Sequence, residues 1–159
     1  MKRGAHTRWD CRYHVVWCPK YRKDLFKDIA LREYVWELFE RIAKEYETEI
    51  QAMEIAEDHV HLLIDIPPKL SVAEAVKCFK SISAREAFKK FPGLRKRLWG
   101  GELWKDGYFV RSVGSDVTSE IVTNYIREHS ENSRSPAQLR LNLQGQPKRA
   151  SDSPGLAPG

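Results

Sequence analysis

No stretch of this chain approaches the roughly 20 consecutive apolar residues that a membrane-spanning helix requires, so the sequence predicts no such span. Met1-Lys2-Arg3-Gly4 leads into no apolar run, and no secretory leader is expected. Cysteine is scarce. Cys11, Cys18 and Cys78 are odd in number and form no CxxC pair, which argues against a disulfide framework or a zinc knuckle. Reduced thiols and a cytoplasmic location are the expectation. At 159 residues the chain is too short for a TIM barrel, which needs about 250 residues. What it does have is a globular balance, 42% hydrophobic and 31% charged residues, enough for one domain.

The positive charge is unevenly placed. Residues 1–23 carry seven cations (Lys2, Arg3, Arg8, Arg12, Lys20, Arg22, Lys23) against the single acid Asp10. Residues 89–111 carry seven more against Glu102 and Asp106. Both segments are laced with aromatics, among them Trp9, Tyr13, Trp17 and Tyr21 in the first and Trp99, Trp104, Tyr108 and Phe109 in the second. Solvated charge over core aromatics explains either block alone. Two blocks in one small chain point to nucleic acid with single-stranded parts, since cations hold phosphates and flat rings stack on unpaired bases. The candidate contacts are Arg12, Lys20, Tyr21, Arg22, Arg95, Lys96, Arg97, Lys105 and Arg111.

Periodicity sets out the elements. Cys11–Cys18 reads as a strand closed by Pro19. Leu31, Val35, Leu38, Ile42 and Tyr46 line one face of a helix from Asp28 to Tyr46. Strands follow over Glu49–Ala56 and His59–Ile66, the latter stopped by Pro67-Pro68. Ser71 and Glu74 form a capping box for a helix whose stripe is Val72, Ala75, Val76, Phe79 and Ile82. A loop-rich basic stretch leads to a strand over Tyr108–Val113, and Ser115 or Asp116 caps a last helix to about Glu131. The order β-α-β-β-α-β-α predicts an α+β, ferredoxin-like (RRM-like) fold: an antiparallel four-stranded sheet, two helices on one face and an added C-terminal helix. One domain over residues 1–132 is expected. Residues 133–159 hold four of the eight prolines and little apolar surface, so a disordered tail is expected.

Glu57-Asp58-His59-Val60-His61-Leu62-Leu63-Ile64 is the most informative stretch. Side chains alternate along a strand, so Val60, Leu62 and Ile64 face the core while His59 and His61 share the other face. Two imidazoles so placed can reach one metal ion. Histidines at this spacing also sit on strands without any ligand, and several metal-site families use HxH. Tyr125 and His129 are four apart and share a helical face. If that helix packs on the sheet, it brings both to the histidine pair, where a tyrosine beside a cation is a nucleophile. A core aromatic is the commoner meaning of such a tyrosine.

Taken in order, Tyr13-His14-Val15-Val16-Trp17-Cys18-Pro19-Lys20-Tyr21-Arg22, Asp58-His59-Val60-His61-Leu62-Leu63, Leu98-Trp99, Tyr108-Phe109, Ser112-Val113-Gly114 and Tyr125-Ile126 resemble the small single-tyrosine HUH transposases of insertion sequences, the TnpA type of the insertion sequence 200/605 family. The likeness runs from about Arg12 to Glu131. It implies that His59 and His61 are metal ligands for Mg²⁺ or Mn²⁺, and that Tyr125 attacks single-stranded DNA to form a 5′-phosphotyrosine. It further implies recognition of hairpins near the element ends, and a homodimer in which the tyrosine helix of one subunit often completes the partner's site. Association with nucleoid DNA follows from the same likeness.

One position departs from the family. The residue four after the tyrosine is commonly Gln there and is His129 here. Imidazole is softer than an amide oxygen and suits Mn²⁺ better than Mg²⁺, so His129 is expected as a third ligand with a preference for Mn²⁺. His14 is expected to be structural or DNA-facing. Alternatives differ in class. One is a domesticated repeat-associated tyrosine transposase acting on chromosomal palindromes. Another is a non-catalytic nucleic-acid-binding module with an RRM-like sheet. A histidine-triad nucleotide hydrolase is disfavoured because Leu63 stands where a third histidine is needed.

Overall fold

The computed structural model describes residues 2–20, 25–114, 123–124 and 126–127. A short hairpin opens it, β1 (Lys2–Arg3) paired antiparallel with β2 (Arg8–Trp9) and closed by Gly4 N–H donating to Thr7 O at 2.6 Å. This hairpin has two-residue strands, too short for an alternating pattern to betray it in the sequence.

The main sheet comprises β3 (Arg12–Trp17), β4 (Glu49–Ile55), β5 (Val60–Asp65) and β6 (Phe109–Val113). Spatial order is β4-β5-β3-β6, and every pair is antiparallel. With helices α1 (Ile29–Glu45) and α2 (Val72–Lys90) between strands in the order β-α-β-β-α-β, this is the expected ferredoxin-like arrangement. Strand ends fall at the expected bounds or one residue inside them, and His59 sits in the turn before β5 rather than on it.

Both helices begin where capping chemistry predicts. Asp28 accepts from Leu31 N–H at 3.2 Å, and Ser71 Oγ accepts from Glu74 N–H at 3.1 Å. Helix α1 buries Leu31, Val35, Leu38 and Ile42 as the periodicity requires, and adds Phe39 and Ala43. Helix α2 departs more. Val72 and Ile82 lie at the margin of the core, while Ser83 is fully buried because Trp104 Nε1–H donates to its Oγ at 2.8 Å. The basic stretch after α2 is not all loop: Leu94–Arg97 forms a helical turn, α3, anchored by buried Leu94. Gly100 and Gly101 follow with φ of 76° and 70°, a conformation that strains any residue bearing a Cβ.

One sheet face packs on α1 and α2. Val15, Trp17, Met53, Ile55, Val60, Leu62 and Ile64 meet Leu38, Phe39, Val76 and Phe79 there, with Phe26, Leu103 and Trp104 closing the end. A bulge in β4 shifts the pairing from Ile50–Ile64 to Ala52–Leu63. The extra residue turns Ile50 toward the helix side while leaving Ala52 and Glu54 on the other.

That other face is the site of the fourth helix. Thr123, Asn124, Ile126 and Arg127 are helical. Ile126 is fully buried in a second, small cluster with Ala52, Leu63 and Val113. The remainder of the expected last helix, Tyr125 and His129 included, and the tail lie outside the described residues. Among the described residues no helix is long and apolar enough to cross a membrane.

Candidate active site

The site is built on β5 and the turn before it. Ala56 N–H donates to His59 O at 2.9 Å, closing the β4–β5 turn, and Phe26 N–H holds Glu57 O at 3.1 Å. This tight turn delivers His59 and His61 two residues apart, a separation of about 6.6 Å along an extended chain. Val60, between them, is in the helix-side core. Both imidazoles are fully buried.

His59 has a carboxylate at its back: Nδ1 lies 3.1 Å from Asp58 Oδ1. A carboxylate there places the proton on Nδ1 and leaves the lone pair on Nε2, the tautomer that ligates a metal. His61 faces β3 and β4 neighbours across the sheet. Register sets it opposite Val16 on one side and Glu54 on the other. The His14 ring, one row along, lies 3.8 Å from the His61 ring. His14 is 1% exposed, and burial, with Arg111 adding to it, lowers its pKa to about 3. It is a neutral wall against His61, and its burial keeps it from facing solvent. Glu54 is also buried, and burial raises its carboxyl to about 7.

Sequence reasoning passed over Glu54 and did not connect His14 to the histidine pair. Both signals existed in outline. Glu54 lies between the core residues Met53 and Ile55, and His14 lies between Tyr13 and Val15, so alternation puts both on the face of His61. Cross-strand register, which brings them beside it, is not written in either strand alone.

Two imidazoles on one face, one oriented by a carboxylate, fit a divalent transition metal or Mg²⁺ in ligand type. Among the described residues no three His, Cys, Asp or Glu side chains already converge to hold an ion.

The candidate DNA contacts divide. Arg12 and Arg111 share the sheet face of the histidine pair, opposite Asp65 and His14 respectively. Arg12 is held in a two-toothed ion pair by Asp10, at 2.6 and 2.8 Å. Lys20 is ion-paired with Glu102. Arg95, Lys96 and Arg97 stand exposed on α3; Arg95 lies over the Phe88 ring and Arg97 reaches Asp28 at 3.4 Å. Lys105 is exposed beside a cleft of about 510 Å³ lined also by Lys77, Lys80 and Tyr108. Tyr21 and Arg22 lie outside the described residues. A larger cleft, about 670 Å³, runs along β4, but Glu40, Glu47, Glu49 and Asp65 outnumber Lys44 and Arg127 in its lining, a poor surface for a polyanion.

Comparison with known proteins agrees with this geometry. The family model described as "Transposase IS200 like" matches residues 7–129. The transposase for insertion sequence element IS200 of Salmonella typhimurium is 32% identical over 143 residues, 90% of this chain and 92% of that protein. The ISDra2 transposase TnpA of Deinococcus radiodurans is 33% identical over 132 residues, 82% of this chain and 93% of that one. A transposase crystal structure from Deinococcus radiodurans R1 superposes with a TM-score of 0.65 at 33% identity, covering 80% of this chain and 97% of the other. A REP-associated tyrosine transposase bound to a REP hairpin shares the fold, with a TM-score of 0.55 at 13% identity over 96% of this chain and 81% of that one. From its sequence and its fold alike, the chain belongs to the IS200-like transposase family.

Proposed function

We propose that this protein cleaves and rejoins single-stranded DNA at the ends of its insertion sequence, through a covalent tyrosine intermediate at a metal-dependent site. The observation that carries the reading is the buried pair His59 and His61 on the sheet face where Ile126, the residue after Tyr125, is seated.

In this mechanism His59 and His61 would hold the cation, joined by His129, with Asp58 keeping His59 in the ligating tautomer. When bound, the ion polarises the scissile phosphate and offsets its developing charge. Tyr125 Oη attacks phosphorus. The bond from phosphorus to the 3′-oxygen breaks, the phenolic proton passes to solvent, and the departing 3′-oxygen takes a proton to become a free 3′-OH. The phosphate stays on Tyr125 as a 5′-phosphotyrosine. Rejoining reverses the step: the 3′-OH of another strand attacks the phosphotyrosine and the phenol is released. One phosphoester replaces another each time, so no nucleotide triphosphate is consumed. A free tyrosine phenol ionises near pH 10, and a cation bound at the site would lower the cost of forming the phenolate.

Hairpins near the element ends would be read by basic and aromatic surface. Arg111, on the site face, and the cleft of Lys77, Lys105 and Tyr108 supply it. Assembly is a homodimer. Supporting this, edge strand β6 presents Phe109 at 48% and Val110 at 38% exposure, with Tyr108 beside them, and an exposed apolar edge is a pairing surface.

The test is a covalent-adduct gel. Labelled single-stranded oligonucleotides tiled across the element's flanks are incubated with protein and Mn²⁺ or Mg²⁺, beside Tyr125→Phe and a double-stranded control. A denaturant-resistant band that needs metal and is lost in Tyr125→Phe is the expected result. Tight hairpin binding with no band on any flank would refute the reading and favour a binding module.

A further inference from the structure

The face that holds the histidine pair also holds an acid that the chemistry above does not use. Glu54 on β4 is the direct cross-strand partner of His61. The two side chains therefore leave the sheet on the same side, with Cβ atoms about 5 Å apart. Glu54 is 4% exposed, and its Oε2 has no hydrogen-bond partner among the described residues. The row continues through Val16 on β3 to Phe109 on β6, neither of which carries charge.

A buried carboxylate in such a row is costly unless a cation accompanies it. The two imidazoles beside it have the opposite deficit. As neutral donors they suit a transition metal, yet bring no negative charge, and hard divalent cations favour carboxylate oxygen. One cation answers both deficits. We propose that Glu54 is a further metal ligand of the His59/His61 centre, supplying the anionic oxygen that the imidazoles lack. The inference rests on the metal-dependent reading above. Glu has three rotatable bonds, and cross-strand pairing sets its Cβ beside that of His61. His14, packed on the far side of the His61 ring at 3.8 Å, holds that ring while the carboxylate closes from β4.

The test reads metal binding without DNA or turnover. Mn²⁺ is titrated calorimetrically into the full, metal-stripped protein in four forms: wild type, Glu54→Gln, Glu54→Asp and His61→Ala. Glu54→Gln keeps the shape and removes the charge. It is expected to weaken Mn²⁺ at least tenfold, while the melting temperature of the metal-free protein is unchanged or raised, because the buried Oε2 has no hydrogen-bond partner to lose among the described residues. A group that merely supports the fold gives the opposite pattern, a lower melting temperature with Mn²⁺ affinity intact, and that pattern overturns the proposal. Should Glu54→Gln not fold, Glu54→Asp decides. It retains the carboxylate on a shorter arm and is expected to weaken binding severalfold and to alter the Mn²⁺ paramagnetic resonance spectrum; affinity within twofold of wild type and an unaltered spectrum overturn the proposal. His61→Ala separates the two readings. If it abolishes binding while Glu54→Gln does not, only the role of Glu54 fails. If His61→Ala binds Mn²⁺ like wild type, the metal centre itself is wrong, and this inference falls with it.

Discussion

Truncating Ile126 separates the stability of the fold from that of the active site. Ile126 is fully buried, but not in the main core; it meets Ala52, Leu63 and Val113 on the face opposite α1 and α2. Ile→Ala in such a setting costs about 2–4 kcal/mol, and Ile→Val about 0.5–1.5 kcal/mol. Because the cluster is separate from the core under α1 and α2, the loss falls on docking of the last helix rather than on global unfolding. Each 1.4 kcal/mol is tenfold in an equilibrium, so a loss of about 2–4 kcal/mol lowers the docked-to-undocked ratio by about 30- to 700-fold. Where docking is marginal, covalent-adduct formation falls by a similar factor for Ile126→Ala and by about 2- to 12-fold for Ile126→Val. The urea midpoint of the sheet's intrinsic fluorescence stays near that of wild type. Leu63→Ala, acting from the other side of the contact, reproduces the adduct defect. The reasoning is refuted if Ile126→Ala forms adduct within twofold of wild type, or if its urea midpoint falls by the full 2–4 kcal/mol equivalent with no separate effect on adduct.

Mixing Tyr125→Phe with His61→Ala protein restores adduct formation if the tyrosine acts on the partner's site, and a mixture as inactive as either variant shows that it acts within its own subunit. His129→Gln replaces an imidazole with an amide oxygen, so the ratio of Mn²⁺- to Mg²⁺-supported cleavage drops; an unchanged ratio removes His129 from the ligand set. Ser83→Ala strands the buried Trp104 indole N–H, now 2.8 Å from Ser83 Oγ, and lowers unfolding free energy by about 1–3 kcal/mol in urea titration. His14, with its pKa lowered from 6.5 to about 3 by burial and by Arg111, binds its proton more readily in the unfolded chain. Stability of the metal-free protein is therefore lost progressively as pH falls from about 6.5 toward 3, and His14→Gln flattens that part of the urea-midpoint profile; a profile as steep as wild type excludes His14 as its source.

The order of elements was legible because it rests on local rules. Ser71 and Asp28 cap where a short polar side chain can reach the third amide of a helix, and Leu31 to Ile42 recur with the helical turn. The separation of His59 and His61 from Val60 and Leu62 is equally local, since neighbours on a strand face opposite ways. So was the family, because its short motifs occur in order along the chain.

Other features depend on which strand lies beside which. The basic block of residues 89–111 is continuous in sequence, yet the fold puts Arg111 on the sheet beside His14 and Arg95 against Phe88 of α2. The full burial of the histidine pair is a tertiary outcome. The length of the β4–β5 turn sets the register that brings Glu54 opposite His61, and the bulge between Ile50 and Ala52 shifts the pairing only beyond it. Shifting a register by one residue exchanges the two faces of a strand. Periodicity thus determined which residues share a face within each strand of this protein. Only the paired sheet decided that Glu54, His61 and His14 stand together, because hydrogen bonding between strands, not the sequence within one, selects who is opposite whom.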